Sequence, residues 1–558
     1  MAIRFLATWL DHRFLRSLCA MGVWLGTLFF AASLTPSLVP RDVLPQGLLS
    51  GASFALGYGI GVALRALWRF LGLRDIESLP LGRLLKLAAA LACLGILSAF
   101  LWRASAWQDS VRLPMGLPPV EDHRPLILGL VAAATGTALI LLGRLFRLIA
   151  RHAARQAGRV APPRLSTLAG IAAAAGLFWA IGDGVLLRAG LHALDASYSR
   201  RDARIDDGVA PPSDPLKAGS VASLLRWQDL GWMGRAAIAA GPDRAAIEAF
   251  TGQPAQEPLR IYVGLNAAEG MEERVDLAFR EMLRIGAFDR SILVIVTPTG
   301  TGRIYPASQM PLEYLHHGDV ATVAVQYSYT ASWLTLLADP TYGAETARHL
   351  FRRVYDHWLT LPEASRPRLY LHGLSLGALY SDLSVDLFDV IGAPFQGALW
   401  SGPPFNSRTW RQATDQRQPD SPAWLPRFRD GSVVRFTGQE NRLDEATAPW
   451  GPLRIVYLQY ASDPVTFFEP NAAFRAPAWM RGPRGPDVSP ELRWYPLVTF
   501  LQLAFDMVLS GSTPMGHGHL YAPEHYVDGW VAVTEPPGWT PERIEALKRH
   551  LRAAIDAG

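Results

Sequence analysis

The first third of the chain carries its apolar residues in long blocks. The remainder carries them in short runs that alternate with amphipathic segments. Five blocks, about Leu18–Leu38, Leu48–Phe70, Leu85–Trp102, Leu126–Leu148 and Leu168–Leu187, approach the ~20 residues an α-helix needs to cross the hydrocarbon layer. They predict an α-helical transmembrane domain over residues 1–195. Basic residues mark one side of it. Arg4, Arg13 and Arg16 precede the first block. Arg69, Arg74, Arg83 and Lys86 separate the second from the third. Arg144, Arg147, Arg151, Arg155, Arg159 and Arg164 separate the fourth from the fifth. The opposite loops carry Arg41 in one, and Arg103, Arg112 and Arg124 beside Asp109, Glu121 and Asp122 in the other. Positive charge gathers on the cytoplasmic side. Five spans in a cell (inner) membrane therefore predict a cytoplasmic N-terminus and an extracytoplasmic chain after Leu191. The first block is not read as a cleaved leader, because Val39-Pro40-Arg41 follows it rather than a small-residue cleavage site. Asp183, in Gly182-Asp183-Gly184, puts a carboxylate at membrane depth, where it must face protein or water. A helix-packing contact is preferred for it over a proton or ion path.

Residues 196–220 read as a juxtamembrane linker, charged and broken by Pro211 and Pro212. Leu224 to Trp232 either begins the folded domain, the preferred reading, or lies as an interfacial helix. Over 221–558 strands and helices alternate. Leu259–Val263, Ile292–Val296, Val320–Val325, Leu369–His372, Gly397–Trp400 and Arg454–Leu458 read as strands, and Ile292–Val296 has the continuous apolar character of a buried parallel one. Met271–Arg284 has helical spacing between them. This order predicts a doubly wound, mostly parallel α/β sheet, with its site at the carboxyl ends of the strands.

Composition adds limits. Half the residues are hydrophobic, in keeping with a membrane region joined to a globular one, and the net charge of +4 with no long basic run gives no sign of nucleic-acid binding. The two cysteines, Cys19 and Cys93, both fall in apolar blocks, so they build neither a disulfide framework nor a metal site. No organic cofactor is implied.

The chemistry centres on Ser375 in His372-Gly373-Leu374-Ser375-Leu376-Gly377, between a β-type run and a helix-compatible stretch. Gly-x-Ser-x-Gly in that context makes a nucleophile elbow: a strained turn, with glycines where side chains would clash, that lifts the serine hydroxyl clear of the backbone. A serine needs an imidazole base, and the base needs a carboxylate to fix its tautomer. Asp463, after the run Arg454–Leu458, stands where the acid is expected; an Asp-Pro turn cap is the competing reading. Gly516-His517-Gly518-His519 offers two bases. His517, directly after Gly516, is the first choice, His519 the second and His525 a weaker third. A His-x-His pair can bind metal, but no further soft ligand stands nearby. The oxyanion needs two backbone donors. Leu376 is one, and Thr299 or Gly300, in the loop Thr297-Pro298-Thr299-Gly300-Thr301-Gly302, is the other. Gln326-Tyr327-Ser328-Tyr329 and Trp333 line the pocket or serve as packing.

Taken in order with Ser33-Leu34-Thr35-Pro36-Ser37-Leu38-Val39-Pro40-Arg41, these motifs resemble the bacterial membrane-anchored α/β-hydrolases with a multi-span N-terminal domain. The chain departs from that pattern in His372 before the elbow glycine, in Leu374 where an acidic residue is common, and in Arg303 where an aromatic is common. The resemblance implies an α/β-hydrolase fold over 221–558. It also implies a membrane-anchored serine hydrolase, a carboxylesterase or lipase acting on membrane lipid or another acyl ester. An acyltransferase or thioesterase on the same residues is the first alternative. A non-catalytic transport or scaffolding protein is the second.

Overall fold

The computed structural model describes residues 18–73, 82–121, 124–182, 202, 204, 210–329 and 342–557. The readings placed on Arg4, Arg13, Arg16, Arg74, Asp122, Asp183, Leu187, Leu191 and Trp333, and on most of the linker, lie outside the described residues. The chain divides into two compact units. One is Met1–Gly190 with Glu469–Met480 and Val488–Leu509. The other is Leu191–Phe468 with Arg481–Asp487 and Ser510–Gly558. The expected block 221–558 is therefore interrupted, because two of its segments pack with the N-terminal unit.

The first unit is helical. Helix α1 (Ala20–Ser33) is followed by α2 (Val43–Phe70), α3 (Leu84–Met115), α4 (Pro125–Ala157) and α5 (Pro163–Gly182). The last four are long and apolar enough to cross a membrane. The expected first span is shorter than predicted. At 1.5 Å per residue, the 14 residues of α1 reach about 21 Å against the roughly 30 Å of a hydrocarbon core. It stops where Ser33 Oγ turns back to donate to the Phe30 carbonyl, 2.6 Å away, and Pro36 follows. Small residues bring these helices together. A Cβ on Gly61 would lie 2.6 Å from Gly22 Cα, and one on Gly51 would lie 2.6 Å from the Ala132 carbonyl.

The stretch Ser33–Arg41 does more than link α1 to α2. Arg41 and Asp506 form a buried ion pair, Nη2 to Oδ1 2.9 Å, with side chains 1% and 0% exposed. Asp506 belongs to the helix Val498–Val508, within this same unit. The Leu38 amide donates to Asp506 Oδ2 at 3.0 Å, Arg41 Nη1 donates to Gln46 Oε1 at 2.9 Å, and Gln502 Nε2 donates to the Thr35 carbonyl at 3.0 Å. Removing one member of such a pair leaves an uncompensated buried charge, which costs about 3–5 kcal/mol. Asp506→Ala is therefore expected to lower the thermal midpoint of the detergent-solubilised chain sharply, and an apolar replacement of both residues to recover most of the loss. A midpoint unmoved by Asp506→Ala would contradict this.

The second unit is built on seven strands: β1 (Leu259–Val263), β2 (Ile292–Thr297), β3 (Val320–Val325), β4 (Arg368–Leu374), β5 (Gly397–Ser401), β6 (Val434–Thr437) and β7 (Arg454–Leu458). All neighbouring pairs are parallel, in the order β1-β3-β2-β4-β5-β7-β6. β2 and β3 are buried at every position, as strands covered on both faces must be. Only the edge strand β6 was absent from the sequence reading; it is four residues long and interrupted by Arg435. Helices Met271–Arg284, Tyr342–Thr360 and α6 (Leu376–Leu383) pack as one group, and Pro306–Leu315, Pro523–Thr534 and Pro541–Ala557 as another. Leu224–Trp232 starts this domain. Leu225 and Leu230 are buried, and Glu281 accepts from Ser223 Oγ at 2.6 Å and the Leu224 amide at 3.0 Å.

Candidate active site

β4 lies at the centre of the sheet, and the chain reverses from it into α6 at Ser375. That residue has φ 58° and ψ −128°. A non-glycine residue pays for positive φ in strain, and the surroundings must hold it there. The Ser375 amide donates to the Ser401 carbonyl at 3.0 Å, and its own carbonyl accepts from the Ala378 amide at 2.9 Å. The two glycines are required sterically. A Cβ on Gly373 would lie 2.3 Å from the Gly377 backbone, and one on Gly377 would lie 2.2 Å from the Thr297 carbonyl. The elbow thus rests directly on the end of β2.

Asp463 follows β7 through Gln459-Tyr460-Ala461-Ser462 and is fully buried. The turn-cap and acid readings are compatible, because the two carboxylate oxygens divide the work. Oδ1 accepts the Val465 amide at 2.8 Å. Oδ2 accepts from the Tyr521 hydroxyl at 2.7 Å and the Thr466 hydroxyl at 3.2 Å, and meets His519 Nδ1 at 2.7 Å. Burial, then the Asp463 charge, pushes the Tyr521 hydroxyl well above its ordinary range, so it remains a donor to that oxygen.

The structure pairs Asp463 with His519, not with His517, the first choice from sequence. A carboxylate only accepts, so this bond puts the proton on Nδ1 and leaves Nε2 its lone pair. His519 Nε2 is buried and makes no hydrogen bond to any described residue. The ring lies against Gly402, just past the end of β5. A Cβ on Gly402 would come within 2.8 Å of His519 Cε1 and 3.0 Å of Asp463 Oδ2, and Gly402 directly follows Ser401, the residue that anchors the Ser375 amide. His517 stands 3.7 Å from a different carboxylate, Asp487. His525 is held by the Tyr460 hydroxyl, and burial lowers it to about 3; His372, in the elbow strand, donates from Nδ1 to the Leu399 carbonyl at 2.6 Å and is lowered by burial to about 4. Both are neutral structural imidazoles.

Leu376 opens α6, so its amide is among the first-turn donors that have no carbonyl within their own helix. Thr299 does not supply a second backbone donor. Its amide is spent on the Arg303 carbonyl at 3.1 Å, closing the turn whose other bond runs from the Gly302 amide to the Thr299 carbonyl at 2.8 Å. Gly300 lies in that same turn. Gln326 and Tyr327 prove to be supports for it. The Tyr327 hydroxyl donates to the Pro298 carbonyl at 3.2 Å, the Tyr262 hydroxyl to the Gly302 carbonyl at 2.7 Å, and Gln326 is fully buried. Among the described residues no cluster of three or more His, Cys, Asp or Glu side chains could hold a metal ion.

Comparison with known families agrees with this architecture. A model described as "Alpha/beta-hydrolase family" matches residues 259–547, and one described as "Alpha/beta-hydrolase family N-terminus" matches residues 34–242. No curated protein and no solved structure gives a significant match.

Proposed function

The chain belongs to the alpha/beta-hydrolase family, and on that premise we propose that it is a membrane-anchored serine hydrolase acting on acyl esters. The observation that carries this reading is the 2.7 Å bond from His519 Nδ1 to Asp463, which leaves Nε2 without a partner among the described residues on a ring packed against Gly402, the residue after the one that anchors the strained Ser375. Ser375 Oγ attacks the ester carbonyl while His519 Nε2 takes its proton. The Leu376 amide, at the start of α6, holds the oxyanion. The proton then passes from Nε2 to the departing alkoxide, which leaves as an alcohol. Water, deprotonated in turn by His519, attacks the acyl-enzyme, and collapse of that intermediate releases the carboxylic acid and regenerates Ser375.

The apolar helices would keep this site near lipid and raise the local concentration of a lipidic ester. We infer the side of the membrane from one cluster of basic residues. Arg144, Arg147, Arg151 and Arg155 in the C-terminal part of α4, Arg159 after it and Arg164 at the start of α5 favour a cytoplasmic end for this helix pair, so the chain would leave α5 on the opposite face whether or not α1 crosses. We therefore place the hydrolase domain outside the cytoplasm.

The test is turnover by the purified full chain of p-nitrophenyl esters of graded acyl length, with and without an added alcohol. The reading expects free carboxylic acid as the main product in both cases. Acyl transfer to the alcohol as the main product would replace hydrolysis with transferase chemistry. No release of nitrophenol at any acyl length would contradict the proposal.

A further inference from the structure

We infer that Asp487 is a positioning residue for the reaction proposed above, holding the loop that carries His519 against the turn that carries Asp463; the inference rests on that proposed function. Asp487 is 1% exposed and touches neither Ser375 nor Asp463 through any hydrogen bond found among the described residues. It acts as a hub instead. Its Oδ2 accepts from the Ser462 hydroxyl and from Gln439 Nε2, the latter at 2.6 Å. Each of those partners reaches the histidine loop. Ser462 Oγ accepts the Gly518 amide at 2.8 Å, and Gln439 Nε2 also donates to the Gly516 carbonyl at 3.3 Å.

Ser462 directly precedes the acid, and Gly518 directly precedes the base. One hydroxyl therefore joins the two catalytic segments one residue before each functional side chain. The loop needs such a tether. Gly516 and Gly518 turn it through left-handed backbone, φ 91° and 57°, and a Cβ on Gly518 would collide with the Thr513 side chain at 2.6 Å. Loop bonds from the Thr513 hydroxyl to the His517 carbonyl, 2.7 Å, and from the Gly516 amide to the Leu520 carbonyl, 2.8 Å, fix its shape but not its place on the sheet. Asp487 supplies that place, and His517 accounts for the second imidazole. At 3.7 Å its Nδ1 faces Asp487 Oδ2 beyond hydrogen-bond distance.

Orientation of a catalytic group can be worth about 10²-fold for a displacement near 1 Å. The experiment measures the rate constant for reaction of the full chain with a fluorophosphonate probe, beside ester kinetics and the thermal midpoint. Asp487→Ala is expected to slow phosphonylation by about 10²-fold, with kcat falling and KM little changed. Asp487→Asn keeps an acceptor for Ser462 and is expected to restore part of the rate. Gln439→Ala, at a half-buried position, gives a smaller loss in the same direction and serves if Asp487→Ala does not fold. Wild-type rates in both Asp487→Ala and Gln439→Ala would overturn the inference. So would a loss of rate that tracks the thermal midpoint and is not relieved by Asp487→Asn. An unreactive wild-type chain would instead overturn the proposed function itself.

Discussion

Ser375→Ala is expected to reduce turnover of an acyl ester by about 10⁵- to 10⁶-fold, the scale on which removal of a nucleophile collapses a serine hydrolase. The substitution is otherwise mild. It deletes one oxygen, which makes no hydrogen bond among those found for the described residues, and it keeps a Cβ at a backbone already held at φ 58°. Folding should therefore be preserved, and the thermal midpoint should stay close to wild type. On the proposed function, what disappears is the atom that would form the acyl-enzyme; the Leu376 amide and the His519–Asp463 pair remain. A variant that is correctly folded and retains a substantial share of turnover would mean that another group attacks the ester.

The second large effect separates two histidines only two positions apart. His519→Ala is expected to cost about as much as loss of the serine, because the nucleophile and base act as a unit. His517→Ala is expected to cost at most about 10²-fold, since it disturbs the support of the loop rather than the proton transfer. The physical reason is the carboxylate each ring meets. His519 Nδ1 lies 2.7 Å from Asp463, which the Tyr521 and Thr466 hydroxyls also hold, whereas His517 Nδ1 lies 3.7 Å from Asp487. Measured kcat for the two alanine variants on one ester decides the matter. A greater loss in His517→Ala than in His519→Ala would reverse the assignment.

The inner strands were legible because a parallel sheet covered on both faces favours apolar runs; β3 and β7 begin and end where those runs do. The elbow was legible for a steric reason. Gly373 and Gly377 stand where a Cβ would strike backbone at 2.3 Å and 2.2 Å, so no other residue type serves. The choice between His517 and His519 was not legible. Both lie on a loop turned by two left-handed glycines, and no periodicity tells which way such a loop directs its side chains. Thr299 misled for a related reason. A Thr-Gly turn after a strand offers several amides, but which of them closes the turn on Arg303 depends on backbone geometry. Asp487 carried no signal at all. It lies in the irregular stretch Gly485-Pro486-Asp487-Val488, and only the folded chain brings it to Ser462 and Gln439. The grouping of Val488–Leu509 with the N-terminal unit was hidden as well, because Asp506 inside an apolar helix gives no hint that Arg41, far earlier in the chain, is its partner.

The most direct test of the account is the site of covalent modification. The full chain, solubilised in detergent and treated with a fluorophosphonate, is digested and its peptides weighed. The account predicts a single adduct on Ser375 in the wild-type protein and its loss in His519→Ala. An adduct on another residue, or an unmodified Ser375 in a preparation that turns over ester, would contradict it.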